Sequence, residues 1–298
     1  MLLTAFKAVS FILRHPLNRP HKAAALARFL RWQIASRMQV GAVAVPFVDS
    51  TRLLVGRGMT GATGNVYCGL HEFEDMAFVL HALRPGDLFV DVGANVGSYT
   101  VLAAGAAGAD CVAFEPDPTT FTRLLDNIRL NDLAARAVAR NVGVGSSAGV
   151  LAFTSGLDTV NHVVTAGEIA DNATEIPVVP LDAALAGASP TLLKIDVEGF
   201  ESEVLSGAAE TMQRASLLAV VLELNGAGRR YGYDDGVIHQ RMLNCGFLPA
   251  LYDPFQRTLS VQERPRSTQG TTLYIRDLER IRRRVATAPQ HVVLGARL

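Results

Sequence analysis

From residue 87 to residue 224, short apolar runs alternate with helix-periodic segments, and this alternation constrains the fold more than any other feature. Residues 87–92, 111–114 and 137–144 read as strands. Between them lie a small-residue helix at 98–107 and a helix at 118–130, where Phe121, Leu124, Leu125 and Ile128 recur on one side. Strand, helix, strand, helix, strand implies parallel strands joined by right-handed crossovers. A less regular stretch follows, with strands expected at 149–154, 160–165 and 176–181. Residues 192–196 form strand four and 201–213 a helix. Residues 217–224, almost continuously apolar, have the character of a strand buried on both faces. Segments 247–252 and 271–275 suit an antiparallel pair at the sheet edge, and 277–286 a charged helix. The expected class is α/β, a Rossmann-like sheet with helices on both faces.

Upstream, residues 42–56 suggest a hairpin turning near Asp49-Ser50, and 72–83 a helix ended by Arg84-Pro85-Gly86. Residues 1–40 stand apart by charge. Lys7, Arg14, Arg19, Lys22, Arg28, Arg31 and Arg37 are basic, and the first acid is Asp49. Pro16 and Pro20 divide this stretch into two helical pieces. In the second, Leu26, Phe29, Leu30, Ile34 and Met38 recur at helical spacing. Two readings stay open: a helical cap with a solvated basic face, or contact with an anionic membrane surface or acidic substrate. The division expected is a basic N-terminal segment at 1–40, a main domain at 41–276, and a C-terminal helix and tail at 277–298.

The apolar start at residues 1–13 is interrupted by Lys7 and followed by Arg14-His15-Pro16, so it reads as a helix rather than a signal peptide. With 49% hydrophobic and 19% charged residues the chain can build a large core. The 28 basic and 28 acidic residues cancel, leaving no global field to attract nucleic acid, so no nucleic-acid partner is expected. Cys68, Cys111 and Cys245 are far apart with no C-x-x-C pair, which argues against a disulfide framework or structural zinc and fits a cytoplasmic location.

The strongest local signal is Asp91-Val92-Gly93-Ala94-Asn95-Val96-Gly97 after the first strand of the alternation. In such a sheet the ligand lies beyond the carboxyl ends of the strands. Gly93 and Gly97 remove side chains that would block its approach to the turn, and Ser98 can cap the next helix. Glu115, in Phe114-Glu115-Pro116-Asp117, follows at about the 20-residue spacing of a carboxylate that takes a ribose hydroxyl pair. A dinucleotide turn would have its second glycine two residues after the first; here it comes four after. The turn therefore suits a nucleoside with an amino-acid tail better than a pyrophosphate.

With residues 89–100 (Phe89 through the glycine turn to Thr100) and Phe114-Glu115-Pro116, the chain resembles the FkbM-type family of S-adenosylmethionine-dependent methyltransferases. Asn127-Ile128-Arg129-Leu130-Asn131, Leu181-Asp182, Leu193-Lys194-Ile195-Asp196-Val197-Glu198-Gly199-Phe200-Glu201, Val204-Leu205-Ser206-Gly207-Ala208 and Glu223 follow in the family's order. The string around Asp196 is the most family-specific, and the resemblance covers roughly residues 70–255. It implies a seven-stranded methyltransferase sheet, S-adenosylmethionine as cofactor, and methyl transfer usually to oxygen, on a small-molecule or glycan hydroxyl. It also implies that Asp91, Gly93 and Gly97, with Asn95 in the same turn, hold the methionine end. Glu115 would bind the ribose, and the loop near Asn141 and Val142 would lie by the adenine.

The carboxylates of Asp196-Val197-Glu198 admit three roles. Asp196 or Glu198 can act as general base or orient the acceptor, since a hydroxyl must lose its proton. Asp196 with Glu223 and Asn225 can bind a hard divalent cation through oxygen ligands. Or these acids serve the start of the following helix, with Glu201 also in its first turn. His162 is a further candidate proton acceptor. His71 and Glu72 can line the cofactor mouth or cap a helix, and Arg229, Arg230 and Tyr231 can face an acidic or sugar substrate. No Asn/Asp-Pro-Pro-Tyr/Phe tetrapeptide follows strand four, which weakens a base-methylating reading. Two other functions remain: a nicotinamide-dependent oxidoreductase on a similar sheet, and a non-catalytic binding module of the same fold.

Overall fold

The computed structural model describes residues 2–38, 41–156, 160–165, 168–169, 172–265 and 270–298. The expected boundary at residue 40, and Asp158 and Thr159 beside His162, lie outside the described residues. Helices α1 (Leu2–Arg14) and α2 (Lys22–Met38) are separated at the two prolines, as the sequence requires. A hairpin, β1 (Val43–Pro46) and β2 (Arg52–Val55), follows, then α3 (Thr60–Cys68) and α4 (Phe73–Ala82).

The alternating region gives β3 (Leu88–Val92), α5 (Ser98–Val101) prolonged by a wider π-type turn over residues 102–106, β4 (Asp110–Phe114), α6 (Pro118–Leu130) and β5 (Ala137–Arg140). Asp117 accepts the Thr120 N–H at 2.7 Å and Pro118 opens α6, so the helix starts where Pro118 predicts. The expected strand 137–144 breaks: β5 stays in the main sheet, while β6 (Gly143–Val144) joins a separate sheet with β7 (Gly149–Thr154) and β8 (Ala173–Val179). Of the strand expected at 160–165, only an isolated bridge from Val163 to Phe153 forms.

The chain continues through α7 (Leu181–Leu185), β9 (Leu192–Ile195), α8 (Glu201–Ser206), β10 (Ala219–Glu223), α9 (Asp235–Asn244), β11 (Leu248–Asp253), β12 (Thr258–Val261), β13 (Thr271–Ile275), α10 (Leu278–Ala286) and a terminal hairpin of β14 (Val292–Val293) and β15 (Ala296–Arg297). Helix α8 ends at Ser206, and the chain runs on through turns to a 3-10 turn at Thr211–Gln213; between them Gly207 passes close to a neighbour, where a Cβ would fall 2.0 Å from the Gly145 carbonyl oxygen.

The main sheet has the order β12-β11-β13-β10-β9-β3-β4-β5. Strands β10, β9, β3, β4 and β5 run parallel, and β13 is antiparallel to both β10 and β11. The edge pair read from 247–252 and 271–275 is therefore present, and β12 adds an eighth strand to the seven expected. Alternate residues feed two cores. Phe89, Leu192 and Val221 face α4, α10 and the α5 region, while Val90, Leu193 and Val220 face α7, α8 and α9. Side chains such as Phe78, Phe89, Phe114 and Leu102 are fully buried, each stabilising by about 1.5–3 kcal/mol. Trp32 of α2 reaches the first core, and Ile12 of α1 packs on Ala25 and Cys68.

Candidate active site

Crossovers leave β3 toward β4 on one side and β9 toward β10 on the other, so a crevice opens past the carboxyl ends of β3 and β9. A cavity of about 910 Å³ lies there. The turn after β3, the end of β4, residues Val142, Gly143 and Val144, and the ends of β9 and β10 form its walls. On the other side Lys7 and Phe11 of α1, Phe29 and Gln33 of α2, Tyr67 of α3, and His71 and Glu72 close it. Small-molecule sites span about 300–1,000 Å³, so this volume accommodates a nucleoside-sized ligand together with a second molecule.

The glycines of the turn are required by the protein's own packing. Gly93 has φ +77°, and a Cβ there would lie 1.8 Å from the Asp196 carbonyl oxygen, so its hydrogen side chain lets the turn press against the end of β9. Gly97 has φ +89°, and its Cβ would meet Leu124 Cδ1 at 2.5 Å. Both are fixed by protein packing, and Gly93 also lines the cavity. Ser98 does not cap α5; it is the first helical residue, and its hydroxyl accepts from Asn65 Nδ2 at 3.1 Å.

Glu115 is nine-tenths buried or more, at 6% exposure, and its two carboxylate oxygens accept the Asn95 and Asp117 N–H groups, each at 2.9 Å. Asn95, with φ +50°, is thereby locked over the end of β4, and its own Oδ1 accepts the Val96 N–H. Burial pushes the Glu115 carboxyl up to about 7, against the pull of those two N–H donors. Asn141 does not line the cavity: its amide donates to the Glu115 and Pro116 carbonyls at 2.8 and 2.9 Å, which fixes the end of β4 and leaves Val142 and Gly143 as the wall.

Lys194 is the residue the sequence reading passed over. It sits opposite Asp91 in the β3–β9 register, 4% exposed, inside an otherwise apolar strand. Its ammonium lies 2.9 Å from Asp196 Oδ2, 3.9 Å from Asp91 Oδ1 and 5.1 Å from the centre of the Tyr99 ring. Burial opposes its charge, but Asp196, Asp91 and Glu72 outweigh that and hold it well above the ordinary lysine range. Asp91 is fully buried and also accepts from Thr100 Oγ1 at 2.8 Å; burial pushes its carboxyl up, with Lys194 opposing. Tyr99 donates to Glu72 at 2.6 Å, so Glu72 faces the cavity instead of capping α4. A charged residue in the middle of the apolar run Leu192-Leu193-Lys194-Ile195 was the available signal.

The acids past β9 divide by role. Glu201 serves the backbone, accepting the Val197 and Gly199 N–H groups at 3.2 and 3.0 Å. Asp196 and Glu198 instead meet Glu223 from the end of β10, with one oxygen of each within 4.8 Å of the others. Burial first, then the Asp196 charge, pushes Glu198 up to about 7. Burial, Asp196 and Glu198 push Glu223 up to about 10. Crowded carboxyls of this kind are relieved by a proton or by a hard cation. Asp196, Glu198 and Glu223 together form an oxygen set able to hold such a cation, and Asn225, also expected there, has its Oδ1 accepting the Ala227 N–H in its own turn.

His162 is not among the residues lining the cavity; its ring nitrogens face the Val160 carbonyl and Glu168, both at 3.0 Å, while its neighbours Asn161 and Val163 line the wall. Tyr231 donates to the Val163 carbonyl at 2.6 Å and packs edge-on against Phe200, tying the loop after β10 to that wall. Arg229 and Arg230 are exposed.

The chain matches the Methyltransferase FkbM domain over residues 91–249. It is 30% identical over 159 residues to the hexuronic acid methyltransferase AglP of Haloferax volcanii, covering 50% of this chain and 61% of that protein. It is 31% identical over 191 residues to the 31-O-demethyl-FK506 methyltransferase FkbM of Streptomyces tacrolimicus, covering 52% and 74%. The match thus spans about three fifths of the length of AglP. Among solved structures, the C-terminal domain of precorrin-6Y C5,15-methyltransferase from Rhodobacter capsulatus superposes with a TM-score of 0.39 at 17% identity, covering 69% of this chain and 88% of that one.

Proposed function

The chain belongs to the FkbM methyltransferase family, and from that premise we propose that it moves a methyl group from S-adenosylmethionine to a hydroxyl of a sugar or other small molecule. The observation that carries this reading is a single cavity that joins the Glu115 carboxylate and the β3 turn to the acids at the ends of β9 and β10. One end offers a nucleoside site and the other a proton acceptor. Glu115 is built for a diol: its oxygens are already oriented by two backbone N–H groups and keep lone pairs for ribose hydroxyls. Val142, Gly143 and Val144 supply an apolar wall suited to adenine, and the Gly93–Asn95 turn with Asp91 behind it suits the amino-acid tail. When bound, S-adenosylmethionine supplies an electrophilic methyl group.

The acceptor side needs alignment and removal of one proton. Asp196, tied to the Lys194 ammonium, is held in one orientation and positions the acceptor hydroxyl. Glu198, with its carboxyl near 7, is matched to accept the hydroxyl proton at neutral pH. A sugar acceptor is supported by the name of the relative AglP, a hexuronic acid methyltransferase. The test is transfer of radiolabelled methyl to a panel of uronic acid glycosides, neutral glycosides and polyols, with and without a chelator. Labelling of at least one glycoside by the wild type, and its loss by about 10²–10⁴-fold in Glu198→Gln with cofactor affinity kept, is the expected result, on the order of general-base contributions. Labelling that survives Asp196→Asn and Glu198→Gln together would overturn the assignment of these acids.

A further inference from the structure

Helix α2 exposes an apolar stripe that its own core does not need. Ala23, Ala27, Leu30, Ile34 and Met38 recur at helical spacing on the face opposite Ala25 and Trp32, and the last three are 58%, 61% and 80% exposed. Helix α1 likewise exposes Phe6 at 73% and Phe11 at 43% while burying Ile12. Around these apolar residues the charge has one sign. Six basic side chains, Lys7, Arg14, Arg19, Lys22, Arg31 and Arg37, are exposed, and no acid occurs before Asp49. The rest of the chain is acidic by the same margin, since the whole is neutral. Clustered exposed apolar side chains mark an interaction surface, and a one-signed basic fringe selects its partner by charge.

We propose that α1 and α2 dock on an anionic lipid surface, with Leu30, Ile34, Met38 and Phe6 entering the headgroup region and the lysines and arginines lying among the lipid phosphates. Among the described residues no helix is long and apolar enough to cross a membrane, so the contact is peripheral. The same helices border the cavity through Lys7, Phe11, Phe29 and Gln33. Docking therefore brings this wall of the cavity toward the lipid–water boundary. In so far as the methyl-transfer reading holds, an acceptor whose hydroxyl-bearing headgroup is anchored by an apolar chain is the class served; the docking itself does not depend on that reading.

The experiment is co-sedimentation of the full chain with vesicles of phosphatidylcholine alone and of phosphatidylcholine mixed with phosphatidylglycerol, at low salt and at about 1 M salt, where charge interactions are screened beyond about 3 Å. Two variants accompany it: Arg31→Glu with Arg37→Glu, and Leu30→Ser with Ile34→Ser, all at exposed positions. Unchanged thermal unfolding of the variants establishes that they fold. Binding to the anionic vesicles only, lost at high salt and lowered at least about tenfold in each variant, is expected: each basic residue near such a surface contributes roughly fivefold, and the serine variant loses the burial of two apolar side chains. Equal binding to both vesicle types, no binding at low salt, or wild-type binding by both variants would overturn the proposal. So would a dimer in light scattering that the Leu30→Ser, Ile34→Ser variant dissolves, since the stripe would then be covered by a second copy.

Discussion

Glu115 should make cofactor affinity depend on pH in a way that reads out its carboxyl directly. Burial raises that carboxyl from 4.5 to about 7, which corresponds to about 3 kcal/mol against the ionised form in the free protein. A ribose diol donates two hydrogen bonds and binds best to the ionised form. The binding-competent fraction is then about one tenth at pH 6 and about nine tenths at pH 8, so the apparent Kd of S-adenosylhomocysteine should fall about tenfold across that interval. Glu115→Gln removes the titration. It also places an amide NH₂ against one of the two backbone donors, the Asn95 or the Asp117 N–H. Its Kd should be flat with pH and, at pH 8, at least about tenfold weaker, in line with 1.5–3 kcal/mol for bonds to a charged group. Isothermal titration calorimetry at three pH values measures both. The linked effect on folding has a definite sign. Because the folded carboxyl lies above its unfolded value, its stabilising share is complete below 4.5 and is lost as pH rises through about 7, so the ligand-free protein weakens toward pH 8. Equal, pH-independent affinities for wild type and Glu115→Gln would refute the ribose assignment.

Gly93→Ala should unfold or severely weaken the protein, by at least about 2 kcal/mol, because the new Cβ overlaps the Asp196 carbonyl at a positive φ; thermal unfolding checks this. Gly97→Ala should cost less, since the atom it meets is the movable end of Leu124. Lys194→Met leaves the buried Asp91 and the Asp196 carboxylates without their cation and should destabilise by about 3–5 kcal/mol, seen as a lowered denaturant midpoint at constant slope.

The parts of the fold legible in sequence were those where local chemistry and tertiary packing agree. The β3 turn, the acid at Glu115 and the Asp117-Pro118 start of α6 are examples. The parts that were not legible depend on neighbours. Helix α3 contains two glycines and little periodicity, and is held by burial of Ala62, Gly64, Asn65 and Cys68. Helix α9 buries only Ile238 and Met242, too faint a stripe to read. The division of residues 137–144 between two sheets follows from pairing of Gly143 and Val144 with β8, far along the chain. In the site, Asp196, Glu198 and Glu223 were legible as acids at strand ends. Which acid serves the backbone was not, because Glu201 and Asn225 each satisfy nearby N–H groups in turns whose geometry the sequence does not display. His162 and Asn141 were chosen for chemistry, and in the structure their polar atoms are engaged elsewhere.

The central claim is that this crevice is built for S-adenosylmethionine, and the most direct test is thermal unfolding of the protein with S-adenosylmethionine, S-adenosylhomocysteine and NAD in parallel. A ligand at about a hundredfold its Kd stabilises by about 2.7 kcal/mol, enough to raise Tm by several degrees. The account predicts that rise with both adenosyl compounds and none with NAD. A rise with NAD alone, or no rise with any of the three, would contradict it.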